Sequence, residues 1–193
     1  PWDDDIDISI MHKDLKKLVK KLKQELPPQF VVQDYSTDKN YYLDSVLKVR
    51  DKNSHFPIHV YRSFKEQGLL IDIIPMEKIP SMWLKKIVFK VDKYPYLRRK
   101  EKSLEGKSKY NIIGLIIAPI SFLVLNFAHW FSRVMPSRFI GFNYIFIDYN
   151  QNEEKQFKKD DIFPLKKMMF ENHEIFAPNN PDNYLTLMFG DYM

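Results

Sequence analysis

The chain is 193 residues long, 45% hydrophobic and 15% aromatic, which supports one folded domain with a sizeable core and excludes a disordered chain. There is no cysteine, so disulfides, thiol nucleophiles and cysteine-ligated zinc are excluded. The formal charge of +5 is modest and spread along the chain; it suits a phosphate-bearing partner and does not mark a nucleic-acid binder.

The chain opens on Pro1-Trp2-Asp3-Asp4-Asp5-Ile6-Asp7-Ile8-Ser9-Ile10, with no initiator Met and no signal peptide. Because it starts in mid-pattern, it is expected to be a fragment lacking upstream residues. As a β-strand, this stretch puts Asp3, Asp5, Asp7 and Ser9 on one face. Asp4, Ile6, Ile8 and Ile10 fall on the other, which suits a core. Same-face neighbours are about 7 Å apart, so the carboxylates repel unless something positive sits among them. A divalent cation is one answer, since hard cations take carboxylate oxygens. A solvated acidic loop is the other.

Asp14 is an expected N-cap for a helix in which Leu15, Leu18, Val19, Leu22 and Leu26 share a face. The lysines between them form a solvated face, and Pro27-Pro28 ends the helix. A β-rich stretch follows: Phe30-Val31-Val32, a turn over 36–40, a strand over Tyr41 to Val49, a polar turn at Arg50 to Asn53, and a short strand at Ile58 to Tyr61. His55 and His59 are read as ordinary residues.

Leu69-Leu70-Ile71-Asp72-Ile73-Ile74-Pro75 reads as a buried strand ending at the proline. A carboxylate in its middle is costly to bury unless it is paired or metal-bound. Asp72 is expected beside the acidic strand, completing a three-carboxylate cation site with Asp5 and Asp7. An Asp satisfied by backbone N–H groups or by a basic side chain remains the alternative.

Ser81 to Lys109 reads as a basic helix, and Asn111 to Phe131 carries no Asp, Glu, Lys or Arg. The second segment is long enough to span a bilayer, but Pro119, Ser121, Asn126 and His129 weaken that reading. An interfacial or substrate-facing element and a buried hairpin or lid bent at Pro119 are the remaining readings. Asn143 to Tyr149 reads as a strand and Gln151 to Asp160 as a charged turn. Pro181 and Asp182 suit the first turn of a last helix, with Gly190 after it.

Three stretches together resemble one family: Pro1 to Ile8, Ile71-Asp72-Ile73-Ile74-Pro75, and Ala177-Pro178-Asn179-Asn180-Pro181-Asp182-Asn183-Tyr184-Leu185 with Phe189-Gly190-Asp191-Tyr192-Met193. They are similar to the LicD phosphotransferases and to the fukutin-type transferases. Phe163-Pro164-Leu165 followed by Phe170-Glu171 fits the same pattern, and residues 81–140 are least diagnostic. The resemblance implies an α+β, nucleotidyltransferase-like fold with a central mixed sheet flanked by helices. It implies one transferase domain over 1–193, with 81–140 as a basic and apolar helical insertion. It further implies transfer of a phosphorylated group, such as phosphocholine from a CDP-activated donor, onto a sugar hydroxyl of a cell-surface glycan, lipid-linked glycan or teichoic-acid-type acceptor. Asp5, Asp7 and Asp72 match the metal-binding aspartates, implying Mg²⁺ or Mn²⁺ as cofactor.

Asp3, His12, Lys13, Lys48, Arg50, Lys52 and Asp191 are the substrate-side candidates. The family has a helix and a Gly/Arg turn before the first motif, upstream of this chain. It also usually has an arginine where this chain has His12-Lys13. The expected location is cytoplasmic, at the inner face of the membrane, with the membrane surface but no nucleic acid as a partner. A non-catalytic scaffold of the same fold and a nucleotidyltransferase are the alternatives.

Overall fold

The computed structural model describes residues 6–43, 46–142 and 155–192. The expected acidic residues Asp3 and Asp5, and the expected strand at 143–149, lie outside them. β1 (Asp7–Met11) leads directly into α1 (His12–Glu25), then β2 (Phe30–Gln33) and β3 (Leu47–Asp51). β4 (Leu70–Lys78) is followed by two 24-residue helices, α2 (Met82–Glu105) and α3 (Asn111–Val134). β5 (Phe139–Phe142), β6 (Phe157–Lys158) and the short α4 (Lys159–Ile162) come next. The hairpin β7 (Lys166–Phe170) and β8 (His173–Ala177) and then α5 (Pro181–Phe189) complete the fold. It is an α+β fold around a mixed sheet: β1 runs parallel to β4, and the other pairs in that sheet are antiparallel.

The strand predicted to stop at Pro75 runs on to Lys78. Asp72 N–H donates to Ile6 on the β1 side, whereas Ile79 N–H donates to Phe139 on the β5 side. Alternation therefore turns the Pro75 nitrogen away from β1. There it meets a gap, because β3 pairs only as far as Ile73 and β5 begins at Met76. A missing N–H costs no ladder bond at that point.

α1 carries the expected stripe: Leu15, Leu18, Val19, Leu22 and Leu26 are half-buried and the lysines between them are exposed. It begins at His12 rather than after Asp14, and no side chain caps it. The isoleucine face of β1 is not a core face. Ile6 and Ile8 are 57% and 46% exposed, since β1 lies at the sheet edge, whereas Ile73, which pairs with Ile8 from β4, is buried. The strand expected over Tyr41 to Val49 begins only at Leu47. Tyr41 and Tyr42 instead enter a core cluster with Val46, Phe64 and Tyr96, their hydroxyls satisfied by the carbonyls of Val46 and Val60. Ile58 to Tyr61 forms a 3₁₀ turn at His59–Tyr61, not a strand.

α3 passes Pro119 as one continuous helix. Gly114, Ser121, Ala128 and Ser132 are its buried residues, a small-residue stripe that allows close approach to α2. A Cβ at Gly114 would stand 2.8 Å from Arg98 Cβ. On the other side Ile112, Ile116, Ile120, Leu123, Phe127, Trp130 and Val134 follow helical spacing and are all exposed. The reading of this segment as a buried hairpin does not hold, because only 17% of its apolar window is buried.

Gly68 permits the turn that delivers β4 beside β3. A Cβ there would lie 1.7 Å from the Asp51 carbonyl oxygen, and backbone cannot move aside as a side chain can. Gly68→Ala is expected to cost about 2 kcal/mol or more, read as a lowered urea midpoint with an unchanged m-value.

Candidate active site

Asp7 and Asp72 are direct register partners on neighbouring parallel strands, so their backbones stand about 4.8 Å apart and their side chains share a face. Asp72 is buried and Asp7 exposed. Two like charges this close need a counter-charge, and the structure supplies one from the other flank of β4. Lys48, directly opposite Asp72 on β3, donates from Nζ to Oδ1 at 2.6 Å and to Oδ2 at 2.7 Å. The ammonium also lies 4.2 Å from the centre of the Tyr61 ring. Burial pulls the Lys48 pKa down, and the Asp72 charge and hydrogen bonds work against that shift.

Arg50 lies two residues along β3 on the same face and is fully buried. Its Nε donates to Gln33 Oε1 at 2.7 Å and its Nη1 to the Gly68 carbonyl at 2.6 Å, while Nη2 makes no hydrogen bond. Gln33 in turn donates to Asp38 at 2.9 Å, and the same Asp38 oxygen accepts the Lys65 N–H at 2.6 Å. Lys48 and Arg50, expected to hold phosphate, are thus engaged by protein groups inside the sheet. Lys13, Lys52 and Asp191 are exposed and make no described contact with the Asp7–Asp72 pair.

The C-terminal motif reaches the same face. Tyr184 on α5 stacks on Phe157 with ring centres 4.7 Å apart, and its hydroxyl meets Ser9. Burial and the Asp7 charge push the Tyr184 pKa up, and Ser9 opposes them, so the group remains a phenol. Three stretches far apart in the chain therefore converge: Asp7 and Ser9 from β1, Asp72 from β4, and Tyr184 from α5.

A second cluster was not foreseen. Glu77, buried on β4, receives His129 Nδ1 at 2.7 Å and lies 3.1 Å from His12 Nδ1. Burial pushes the Glu77 carboxyl up, but the two histidines outweigh it and hold the pKa below the ordinary range. Reading β4 as ending at Pro75 hid Glu77. The available signal was a carboxylate continuing the apolar run, with one histidine in the charge-poor segment that follows.

Removing one partner of the buried Lys48–Asp72 pair leaves the other as an uncompensated charge. Asp72→Asn and Lys48→Met are each expected to cost about 3–5 kcal/mol. In a double-mutant cycle by chemical denaturation, the double variant should lose much less than the sum of the two.

A model of the family "LicD/FKTN/FKRP, nucleotidyltransferase domain" matches residues 1–115, more than half of the chain. No curated protein and no solved structure matches it. The matched span includes both Asp7 and Asp72, and the mixed sheet brings those two residues into register. The chain belongs to the LicD/FKTN/FKRP family, and so to the phosphotransferases of the LicD/FKTN type.

Proposed function

We propose that the chain transfers a phosphorylated small group, of the phosphocholine kind, from a CDP-activated donor to a sugar hydroxyl of a cell-surface or lipid-linked glycan. The observation that carries this reading is the convergence of Asp7, Asp72 and Tyr184 on one face of the sheet. The donor set there is oxygen-only, which fits a hard cation, Mg²⁺ or Mn²⁺. Asp7 and Asp72, with Asp5 from the preceding residues, would hold it. When bound, such a cation neutralises charge on the pyrophosphate and on the departing nucleotide.

The chain's own groups do the rest. Lys48 fixes the orientation of the Asp72 carboxylate. Asp72 accepts the proton of the acceptor hydroxyl as that oxygen attacks the β-phosphorus. The bond from that phosphorus to the bridging oxygen breaks, and CMP leaves. Tyr184, kept protonated, is a hydrogen-bond donor at the rim of the site. Lys13, Lys52 and Asp191, which are exposed, and Asp3 from the preceding residues are proposed to meet substrate.

One feature favours a second reading, a non-catalytic scaffold of the same fold: Lys48 already neutralises Asp72. Asp7→Asn separates the two. Asp7 is exposed, so the variant should fold normally. In the full protein it is expected to lower Mg²⁺-dependent transfer at least about a hundredfold, the scale on which removal of one charge-stabilising group acts. Unchanged transfer would remove Asp7 from the mechanism. No Mg²⁺ binding to the wild-type protein by calorimetry would favour the scaffold. Release of CMP from labelled CDP-choline distinguishes group transfer from nucleotidyl transfer.

We place the protein at the cytoplasmic face of a membrane, with α3 lying on an anionic lipid surface. α3 is long and apolar enough to cross a bilayer. Its polar contacts nevertheless tie it along its length to the rest of the chain: Ser121 donates to Asp92, His129 meets Glu77, and Ser132 donates to the Lys78 carbonyl. Its outward stripe offers apolar area, and Arg98, Arg99, Lys100, Lys102, Lys107 and Lys109 lie in the last turns of α2 and the connection that leads into α3. A pocket of about 430 Å³ lined by Lys39, Arg98, Arg99 and Lys102 opens in that basic region and would receive a lipid-linked phosphate. The protein should co-sediment with phosphatidylserine vesicles and release in high salt. Ile116→Ser with Leu123→Ser should weaken binding at least tenfold; equal binding to neutral vesicles would exclude the charge contribution.

A further inference from the structure

α1 is divided around its circumference. Leu15, Leu18, Val19, Leu22 and Leu26 are half-buried, and the helix meets β2 and β4. Lys13, Lys16, Lys17 and Lys20 occupy the opposite arc and are all exposed. At 3.6 residues per turn the four fall within about 100° of one another, and Gln24 continues the arc by one turn. No acid lies on it. Glu25 stands at one margin, 3.8 Å from Lys21, and Lys23 at the other binds Asp34 at 2.6 Å. Among the described residues, Lys13, Lys16, Lys17 and Lys20 make no ion pair. The other cations differ: Lys48 and Arg50 are engaged inside the sheet, and the basic run after Arg98 carries Glu101, 3.6 Å from Lys109.

Like charges three and four residues apart on a helix stand about 5–6 Å from one another and are mutually destabilising. An anion laid along the row removes that repulsion. The row is straight, about 10 Å from Lys13 to Lys20, and is built of lysine alone. An ammonium is a hydrated point charge without the planar fork of arginine, so the row reads charge and not a base edge. No large apolar or aromatic residue of α1 is exposed, so the helix offers neither a stacking platform for bases nor a side to insert into lipid. A linear partner whose negative charges repeat along its length fits these features.

We propose that Lys13, Lys16, Lys17 and Lys20 bind a linear chain of phosphate esters, the phosphodiester-linked part of a glycan. That the chain belongs to a glycan rests on the transferase reading above; the anion-binding row does not. α1 begins at the residue after β1, the strand that carries Asp7 and Ser9. A polymer held on the row is therefore kept near the candidate site at a raised local concentration.

The test is binding of fluorescently labelled poly(glycerol phosphate) to the full protein, followed by anisotropy over a range of salt. Each phosphate neutralised on a flexible single chain contributes about 0.7 to the salt slope, so a slope of about −3 is expected for four lysines. Replacing Lys16, Lys17 and Lys20 together by Gln, which keeps helix propensity, should reduce the slope by about 2 and weaken binding at least tenfold. The same variant should still co-sediment with phosphatidylserine vesicles. Asp7→Asn should bind the polymer as the wild type does, so lost transfer with intact polymer binding bears on the transferase reading alone. Wild-type binding to the polymer no tighter than to glycerol phosphate overturns the proposal. So does wild-type affinity in the triple variant, with its folding checked by circular dichroism. Equal loss of vesicle and polymer binding assigns the row to lipid and overturns it as well.

Discussion

The site depends on one buried ion pair, Lys48 with Asp72. Neither charge is tolerable alone inside the sheet, because desolvating an ammonium or a carboxylate costs several kcal/mol even after relaxation. Together they satisfy each other through two short bonds, and Tyr61 covers the ammonium. The pair also sets position. Lys48 and Asp72 must be direct cross-strand partners, which holds β3 and β4 in register. On the other flank of β4 the parallel pairing with β1 sets Asp7 opposite Asp72.

Around this pair the sheet carries a continuous polar layer. Asp38, Gln33 and Arg50 extend it under the 34–40 turn, and Tyr184 closes it from the C-terminal side. Polar groups in a low-dielectric interior strengthen one another when satisfied. The bonds of this layer run from Asp38 through Gln33 to Arg50 and from Lys48 to Asp72, Arg50 Nη2 is left without one, and Asp7 is exposed on the β1 side. The opposite face of β4 bears Glu77 and its two histidines. One strand thus anchors two chemically distinct clusters: oxygen donors on one side, imidazole and carboxylate on the other.

The α2–α3 pair is built by a division within α3. Gly114, Ser121 and Ala128 recur every seven residues and bring the backbones close. The bulky residues point away, so a helix apolar all round in composition is two-sided in structure. Three of its polar residues, Ser121, His129 and Ser132, face inward and bond to Asp92, Glu77 and the Lys78 carbonyl, whereas Asn126 is exposed. In sequence Ser121 and His129 argue against a bilayer span; in the fold they are attachment points.

Local chemistry was legible from the residues alone. The α1 stripe, the α5 boundaries with Pro181 and Asp182 in the first turn and Gly190 at the end, and the apolar strand around Asp72 all follow from periodicity and capping. So did the need of Asp72 for a partner, because a carboxylate in an apolar strand has no other way to be stable. Which partner it takes was not legible, since the choice between a lysine and a cation is made by what lies across the strand. Tyr41 and Tyr42 lie outside the expected strand and pack in a core with Phe64 and Tyr96, their hydroxyls donating to the Val46 and Val60 carbonyls. Pro75 stayed within β4 because a gap between two neighbouring strands faces its nitrogen. Short-range patterns in the residues were enough for α1, α2, α3 and α5, for a strand beginning at Asp7, and for the family motifs. That Lys48 faces Asp72, that Tyr184 reaches Ser9, and that His12, Glu77 and His129 meet was settled by the three-dimensional fold, because each joins residues more than twenty positions apart.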